Sequence, residues 1–460
     1  MTIAAGSPLL TSPIGPTIMR LAAPNMIAMV VTMITLVAEA WYVGRLGTTS
    51  LAGLALAFPM MMLLMTLSGG SIGGTVTGAV ARRLGAGDRT GAEMLAFHAL
   101  LLAVLLAGAC ALVFLFGGRW IYGLLGGSGA VLAEALAYSD VLFLGCVSVW
   151  LANILAAIVR ATGNMPVAAN GLVAGSALQV AAAGVLVFGL GPFPKMGIAG
   201  AAAGIVIGYA LASIMLLRFL TTRCVELRLR LSGMPVKLAP MAQILKVGGL
   251  ASINTFCTLA AVIVITAFIA RLGVDVLAGY GIGSRLEMLM IPMVFGFGAA
   301  ATALVGVHFG ADAIERGHRA GWTAAFYSAA LCGLTGGTIA LFPGLWANLF
   351  TDSEAIRAAC RTYLQIVGPF YAFFGLALCL YFASQGSGRI LWPVTAAVLR
   401  VLVIVLGCAV LSRVPAAGPE HFFWLIVSGM VVQALVSGTA IRFGAWTRGS
   451  APGQNRPARA

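Results

Sequence analysis

The chain has 460 residues, of which 61% are hydrophobic and only 9% charged, whereas a soluble domain carries roughly 25% charged residues. A mean hydropathy of +1.03, with the apolar residues in long uninterrupted stretches, excludes a soluble enzyme and calls for a bilayer rather than a series of globular cores. The net charge of +14 is not gathered into any run of five like charges, so it is not the basic tail of a nucleic-acid-binding protein.

Stretches free of Asp, Glu, Lys and Arg, cut at Gly, Pro and charge clusters, predict twelve spans in chain order: 17–42, 51–78, 92–116, 135–159, 166–190, 196–218, 243–270, 277–306, 319–342, 361–384, 390–412 and 421–443. Each reaches the roughly 20 residues that a helix needs to cross. The first charge is Arg20 and the apolar run after it continues for 18 residues, unlike the basic n-region and short h-region of a signal peptide, so insertion is expected to begin with a retained span. Eight scattered cysteines without paired CxxC spacing read as small buried hydrophobes, not as a disulfide framework or zinc site. His98, His308, His318 and His421 have no ligand spacing, and no metal site is expected.

Twelve spans put both termini on one face. Eighteen Lys/Arg fall on that face, among them Arg82, Arg83, Arg89, Arg223, Arg228 and Lys237, against seven on the other: Arg45, Arg119, Lys195, Arg271, Arg357, Arg361 and Arg413. The positive-inside rule therefore makes both termini cytoplasmic, and the charge excess is largely a topological signal. Only Arg285, Arg400, Glu39 and Glu287 are left inside spans.

The sequence repeats itself at an offset of 225 or 226 residues. Gly44-Arg-Leu-Gly47 with Leu51-Ala-Gly53 returns as Ala270-Arg-Leu-Gly273 with Leu277-Ala-Gly279, Gly85-Ala86 as Gly310-Ala311, and the Gly163 turn as Gly388. Six spans separate the copies, so the halves share one orientation, as in paired-bundle transporters whose substrate sites lie between the halves. The expected fold is an all-α polytopic membrane protein of twelve transmembrane helices in two six-helix lobes. The expected limits are an N-terminal lobe over 1–220, a basic cytoplasmic link over 221–242, a C-terminal lobe over 243–446 and a disordered cytoplasmic tail over 447–460. No Walker A motif, HExxH or nucleophile elbow is present, so the chain is expected to be no enzyme and to run on an ion gradient.

The segments Glu39-Ala-Trp-Tyr-Val-Gly-Arg-Leu-Gly-Thr-Thr-Ser-Leu-Ala-Gly53, Gly85-Ala-Gly-Asp88 followed by Arg89, Arg160-Ala-Thr-Gly-Asn164, Gly191-Pro-Phe-Pro-Lys-Met-Gly-Ile-Ala-Gly-Ala-Ala202 and Val305-Gly-Val-His-Phe-Gly-Ala311 together resemble the multidrug and toxic compound extrusion (MATE) transporters. The resemblance runs from about Pro24 to residue 440. It implies a V-shaped central cleft between the lobes and cation-coupled export of mostly cationic, amphipathic organic compounds. It also implies a coupling role for Glu39, near where the family has a first-helix Asp, and a helix bend at Pro24.

A carboxylate inside a span is costly enough to be a functional candidate by default. In low dielectric it takes up a proton near neutral pH and returns it when the site opens to water, which is what an antiporter needs. Against this, Trp41 and Tyr42 look like interfacial belt residues, which would leave Glu39 near the outer surface. Set against the family pattern, Gln179 stands where the fifth helix usually has Asn, Ala183 where many members have Asp, and Ile205 where Thr is common. That loss of oxygen donors favours protons over sodium, with Glu39 and Gln179 expected to meet inside the N-terminal lobe. Glu287, ten residues into the eighth predicted span, is placed near the bilayer centre at 1.5 Å per residue. It reads either as a cation-recognition or second coupling site, or as a structural ion pair with Arg400; Arg285 points to another helix face and reads as structural. Phe256, Phe295, Tyr371, Phe374 and Tyr381 are candidates for the cleft, since aromatic faces and carboxylates hold organic cations. Asn254 reads as a helix-to-helix hydrogen bond.

These readings converge on a monomeric inner-membrane antiporter exporting an organic compound against protons or sodium. Its expected partners are the small-molecule substrate and membrane lipid, with no nucleic acid and no cofactor beyond the coupling ion. A lipid or lipid-linked-precursor flippase of the same two-lobe design is the alternative, and would need a wide basic cleft. A channel suits the paired repeat poorly.

Overall fold

The computed structural model describes residues 8–230, 234–414 and 418–447, and among them there is helix but no strand. Eleven helices are long and apolar enough to cross a membrane: Ile14–Gly44, Thr48–Gly85, Arg89–Leu124, Met165–Phe188, Ile198–Thr222, Leu238–Leu272, Val274–Gly310, Ile314–Leu341, Glu354–Ser387, Leu391–Leu411 and Pro419–Ala445. The twelfth crossing, fourth in order, is the pair Gly129–Leu144 and Cys146–Ala161, bent by 51° at Gly145. All twelve predicted spans are thus present, numbered below as spans 1 to 12. Most of their helices run several residues beyond the predicted limits, though spans 5 and 11 do not, because charge and glycine stop a hydropathy pattern before they stop a helix. At the start of span 3, for example, Asp88 caps the helix by accepting from the Gly91 N–H at 2.8 Å.

The interior divides into two large apolar clusters. One is built almost wholly from residues 43–244, with Val307 added. The other comes from 261–446 together with Ile18, Leu21, Ala22 and Met165, so the first turns of span 1 pack with the second half. Span 6 reaches Thr222 and span 7 begins at Leu238, which makes the link shorter than the expected 221–242. The link is pinned to span 3, where Arg228 N–H donates to Glu93 Oε1 at 3.2 Å and Lys237 N–H to His98 Nε2 at 2.8 Å. The expected tail lies, beyond Thr447, outside the described residues.

The repeat seen in the sequence is a backbone repeat. Gly47 and Gly273 turn at φ +129° and +118°, and Gly163 and Gly388 at +86° and +76°. Gly87, at +75°, has as its counterpart Asp312, at +60°, the one described non-glycine residue in that region. The offset changes from 226 at Gly53/Gly279 to 225 at Gly85/Gly310 because the first copy carries one more residue between them. The structure absorbs it as a π-helical segment, Thr66–Ile72, in span 2, where span 8 has uninterrupted α-helix.

The two halves meet along spans 2 and 8 near the face that holds the termini. A Cβ on Gly85 would strike the Val307 carbonyl, and one on Gly310 would strike the Arg82 carbonyl. These contacts are copies of each other under the repeat, so an approximate twofold axis runs between the helices. Arg82 crosses the junction to the carbonyls of Gln385, at 3.0 Å, and Gly386, at 2.5 Å. Among the described residues, the hydrogen bonds between the halves occur from this face up to the level of Ser71 and Thr255, whose hydroxyls are 3.0 Å apart.

Candidate functional site

Glu39 lies in the last two turns of span 1, on the side toward the opposite face, and is only 4% exposed. Its neighbour Trp41 is 55% exposed and carries the Arg45 guanidinium over its ring at 4.9 Å. The belt reading therefore holds for Trp41 but does not bring Glu39 to the surface, because the helix turns the carboxylate inward. There Tyr138 of span 4, fully buried, donates its hydroxyl to Glu39 Oε1 at 2.6 Å, and the same hydroxyl lies 3.1 Å from Met61 Sδ of span 2. Tyr209 of span 6 is close enough to feel the Glu39 charge. Four spans thus converge on one carboxylate with one short O–H···O contact. Protonation of Glu39 would remove the charge that Tyr138 binds and so change the load on a hydrogen bond between spans 1 and 4.

Gln179 does not share that bond. It is buried on span 5, with the base of its side chain against Gly208 of span 6, and among the described residues no hydrogen bond joins it to Glu39. Ala183 and Ile205 are buried and apolar, leaving the contact between spans 5 and 6 without oxygen donors at those two positions. Sequence reasoning missed Tyr138, although the repeat held a signal: 225 residues on stands Tyr363, equally buried, in the second half. Span 1 passes Pro24 as one unbroken helix, in which the proline leaves a position without a backbone donor. Two residues away on either side, Ala22 and Met26 pack on Gly296 of span 8.

In the second half, Glu287 is half-buried on span 8, in electrostatic range of Tyr280, Tyr363, Tyr371 and Arg400. The offset of 226 makes it the counterpart of Met61, so each half presents an acid near the equivalent tyrosine, delivered by span 1 in one half and by span 8 in the other. The Trp346 indole N–H donates to the Ile282 carbonyl at 2.9 Å, and the Arg285 guanidinium lies over Phe350 at 5.7 Å, so this part of span 8 is level with the connection between spans 9 and 10. Span 8 has 37 residues, about 55 Å at 1.5 Å each, and Glu287 stands about 7 Å beyond Ile282 along it.

Arg400 is buried and donates from Nη1 to Gln433 Oε1 at 3.1 Å; no ion pair within 4.0 Å joins it to Glu287. Arg400→Leu should destabilise the protein by about 1–3 kcal/mol, the worth of a hydrogen bond to a charged group whose partner is left buried. Adding Glu287→Gln should restore no more than about 0.5 kcal/mol. Thermal unfolding of the two single variants and the double variant in detergent checks this, and near-complete rescue in the double variant would establish the ion pair instead.

The aromatic candidates separate. Phe256 is 51% exposed. Tyr371 and Phe374 belong to the core of the second half, the Tyr371 hydroxyl 3.4 Å from that of Tyr363, so neither lines the space between the halves. Tyr381 is buried and donates to the Ala251 carbonyl at 3.1 Å, while Phe295 lies half-buried at the junction, edge-on to Phe382 at 5.5 Å. Asn254 is buried, and its Oδ1 has no hydrogen-bond partner. No group of three or more His, Cys, Asp or Glu among the described residues is placed to hold a metal ion.

The MatE family model matches residues 24–185 and 251–410, one block in each half. The probable multidrug resistance protein NorM of Thermotoga maritima is 25% identical over 382 residues, 82% of this chain and 81% of that protein. A FAD transporter of Shewanella oneidensis is 24% identical over 412 residues, 88% of this chain and 89% of its own length. Among solved structures, a MOP superfamily transporter from Pyrococcus furiosus, described as having a binding pocket of reverse polarity that suggests a different function, superposes with a TM-score of 0.88 at 25% identity, covering 96% of this chain and 98% of its own. With both halves matched in sequence and the whole fold matched in space, the chain belongs to the MatE family of multidrug and toxic compound extrusion transporters.

Proposed function

We propose that the protein is a monomeric inner-membrane antiporter that exports amphipathic organic cations in exchange for protons, with both termini cytoplasmic and Glu39 as the coupling residue. The observation that carries the proton reading is the Glu39 carboxylate, held inside the first half by one phenolic hydroxyl and beside a thioether. A hard cation needs several oxygen ligands at once, whereas a proton needs one carboxylate and a neighbour to bond it. Ala183 and Ile205, apolar where relatives of the resembled family offer oxygens, support the same reading. In this scheme Glu39 loses its charge on protonation from the outside, releases its hold on Tyr138, and the halves rock to the other state; deprotonation toward the cytoplasm resets them. Glu287 and Phe256 are the side chains proposed to meet the substrate cation in the second half, with Gln179 positioning span 5 beside the coupling site.

The test is efflux of a cationic dye from proteoliposomes on which a proton gradient and a sodium gradient are imposed separately. Efflux driven by the proton gradient alone is expected. Efflux that follows sodium and ignores protons would overturn the assignment of the ion.

A further inference from the structure

We infer that Arg160 is an oxyanion-binding residue at the junction between the halves, so that the preferred substrates are organic cations that also carry a carboxylate or phosphate. The inference rests on the export reading above and narrows its substrate class to zwitterions.

Arg160 ends span 4 and is 3% exposed. Its guanidinium reaches across the junction to lie 5.6 Å from the Phe295 ring of span 8, and no acidic side chain is near enough to act on it. Among the described residues it has neither a hydrogen bond nor an ion pair, and one aromatic face does not replace the bonds of five N–H donors. The other deeply placed arginines differ: Arg82 holds two carbonyls and Arg400 holds Gln433. A cation buried to this degree without a partner is costly to keep.

The repeat shows that the fold does not require that charge. The counterpart of Arg160 at an offset of 225 is Gln385, neutral, buried, and bonded across the junction from Nε2 to the Gly70 carbonyl at 3.1 Å. The route to that carbonyl passes Gly74, where a Cβ would collide with Gln385. On the other side of the approximate axis the counterparts of Gly70 and Gly74 are Phe295 and Ala299. Side chains there cover the backbone that Arg160 would need. The same position thus carries a neutral side chain tied across the junction through its amide nitrogen in one half, its Oε1 left without a partner, and a cation without hydrogen bonds in the other. Both stand at the junction of the halves, Arg160 against Phe295 of span 8 and Gln385 against Gly70 and Gly74 of span 2. A guanidinium with free N–H pairs beside an aromatic ring suits the oxyanion of a planar, partly aromatic molecule.

Tetramethylrhodamine and its methyl ester share one cationic ring system and differ in a single carboxylate, which makes them matched probes. Their binding to the full chain in nanodiscs, without any gradient, is read by fluorescence anisotropy at fixed salt. The wild-type protein is expected to bind the free acid at least about tenfold more tightly than the ester. Arg160→Gln, the residue the other half already uses, is expected to erase that preference by weakening the acid while leaving the ester within about twofold, and Arg160→Lys is expected to keep part of it. No binding of the acid by the wild type, equal binding of the two dyes, a preference that survives Arg160→Gln, or an equal loss of both dyes would each overturn the inference. Should Arg160→Gln fail to fold, the wild-type ratio alone decides. Because no gradient is applied, acid-selective binding by a protein that exports nothing would defeat the export reading and leave the Arg160 site standing.

Discussion

Glu39→Gln is expected to fold and insert as the wild type does and to lose proton-driven export by at least about tenfold, the equivalent of about 1.4 kcal/mol. The glutamine has the same shape and keeps a carbonyl oxygen for the Tyr138 hydroxyl, now 2.6 Å from Glu39 Oε1, so the packing of spans 1, 2 and 4 around it should survive. It cannot change its charge, and no alternating load reaches the bond between spans 1 and 4. Substrate binding without a gradient should stay within about threefold of wild type, a difference of under 1 kcal/mol. That separates loss of coupling from loss of the protein. Tyr138→Phe leaves the carboxylate in place but strips its donor, and a hydrogen bond to a charged group is worth about 1.5–3 kcal/mol; its efflux should fall between wild type and Glu39→Gln. Proteoliposome efflux under an imposed proton gradient reads all three. Wild-type efflux from Glu39→Gln would end the coupling assignment.

What could be read in the sequence follows from which interactions are local. The twelve spans were legible because an apolar run longer than a bilayer has no other place to go. The two halves were legible because turn glycines such as Gly163 and Gly388 must keep a positive φ, so their spacing persists while the side chains between them diverge. Glu39 was legible because a carboxylate within a span is expensive. Its partner was not. A tyrosine in an apolar helix is unremarked by composition, and Tyr138 matters only because the packing of spans 1, 2 and 4 brings it to Glu39 and Met61. The π segment at Thr66–Ile72 was present in the sequence as a change of offset by one residue, yet a change of offset acquires a meaning only once the two copies are seen as helices of different winding.

Adding a single methyl group at the seal should move the whole transporter. Gly85 and Gly310 let spans 2 and 8 touch backbone to backbone, and in each case the atom that a Cβ would meet is a carbonyl of the facing helix, Val307 or Arg82, which cannot swing aside as a flexible side chain does. In Gly85→Ala and Gly310→Ala the helices must separate at the face that holds the termini, which disfavours the state closed there. Interactions of the state closed on the opposite face are untouched. A penalty of about 1.4 kcal/mol on one state shifts the ratio of the two tenfold, and a clash against backbone on this scale is comparable to the 1–3 kcal/mol cost of overpacking a core. Since the two contacts are copies under the repeat, the two variants should behave alike. Gly337→Ala in span 9, where a Cβ meets nothing within 4 Å, should leave the equilibrium as it is. Spin labels at Ala86 and Ala311, on the loops just beyond the seal, report the separation of the halves by pulsed dipolar spectroscopy. The expected result is a longer dominant distance in both seal variants, with export reduced by about tenfold and wild-type behaviour in Gly337→Ala. An unchanged distance together with full export in both would mean that the halves do not part at this crossing, and the rocking motion would have to be sought at another contact.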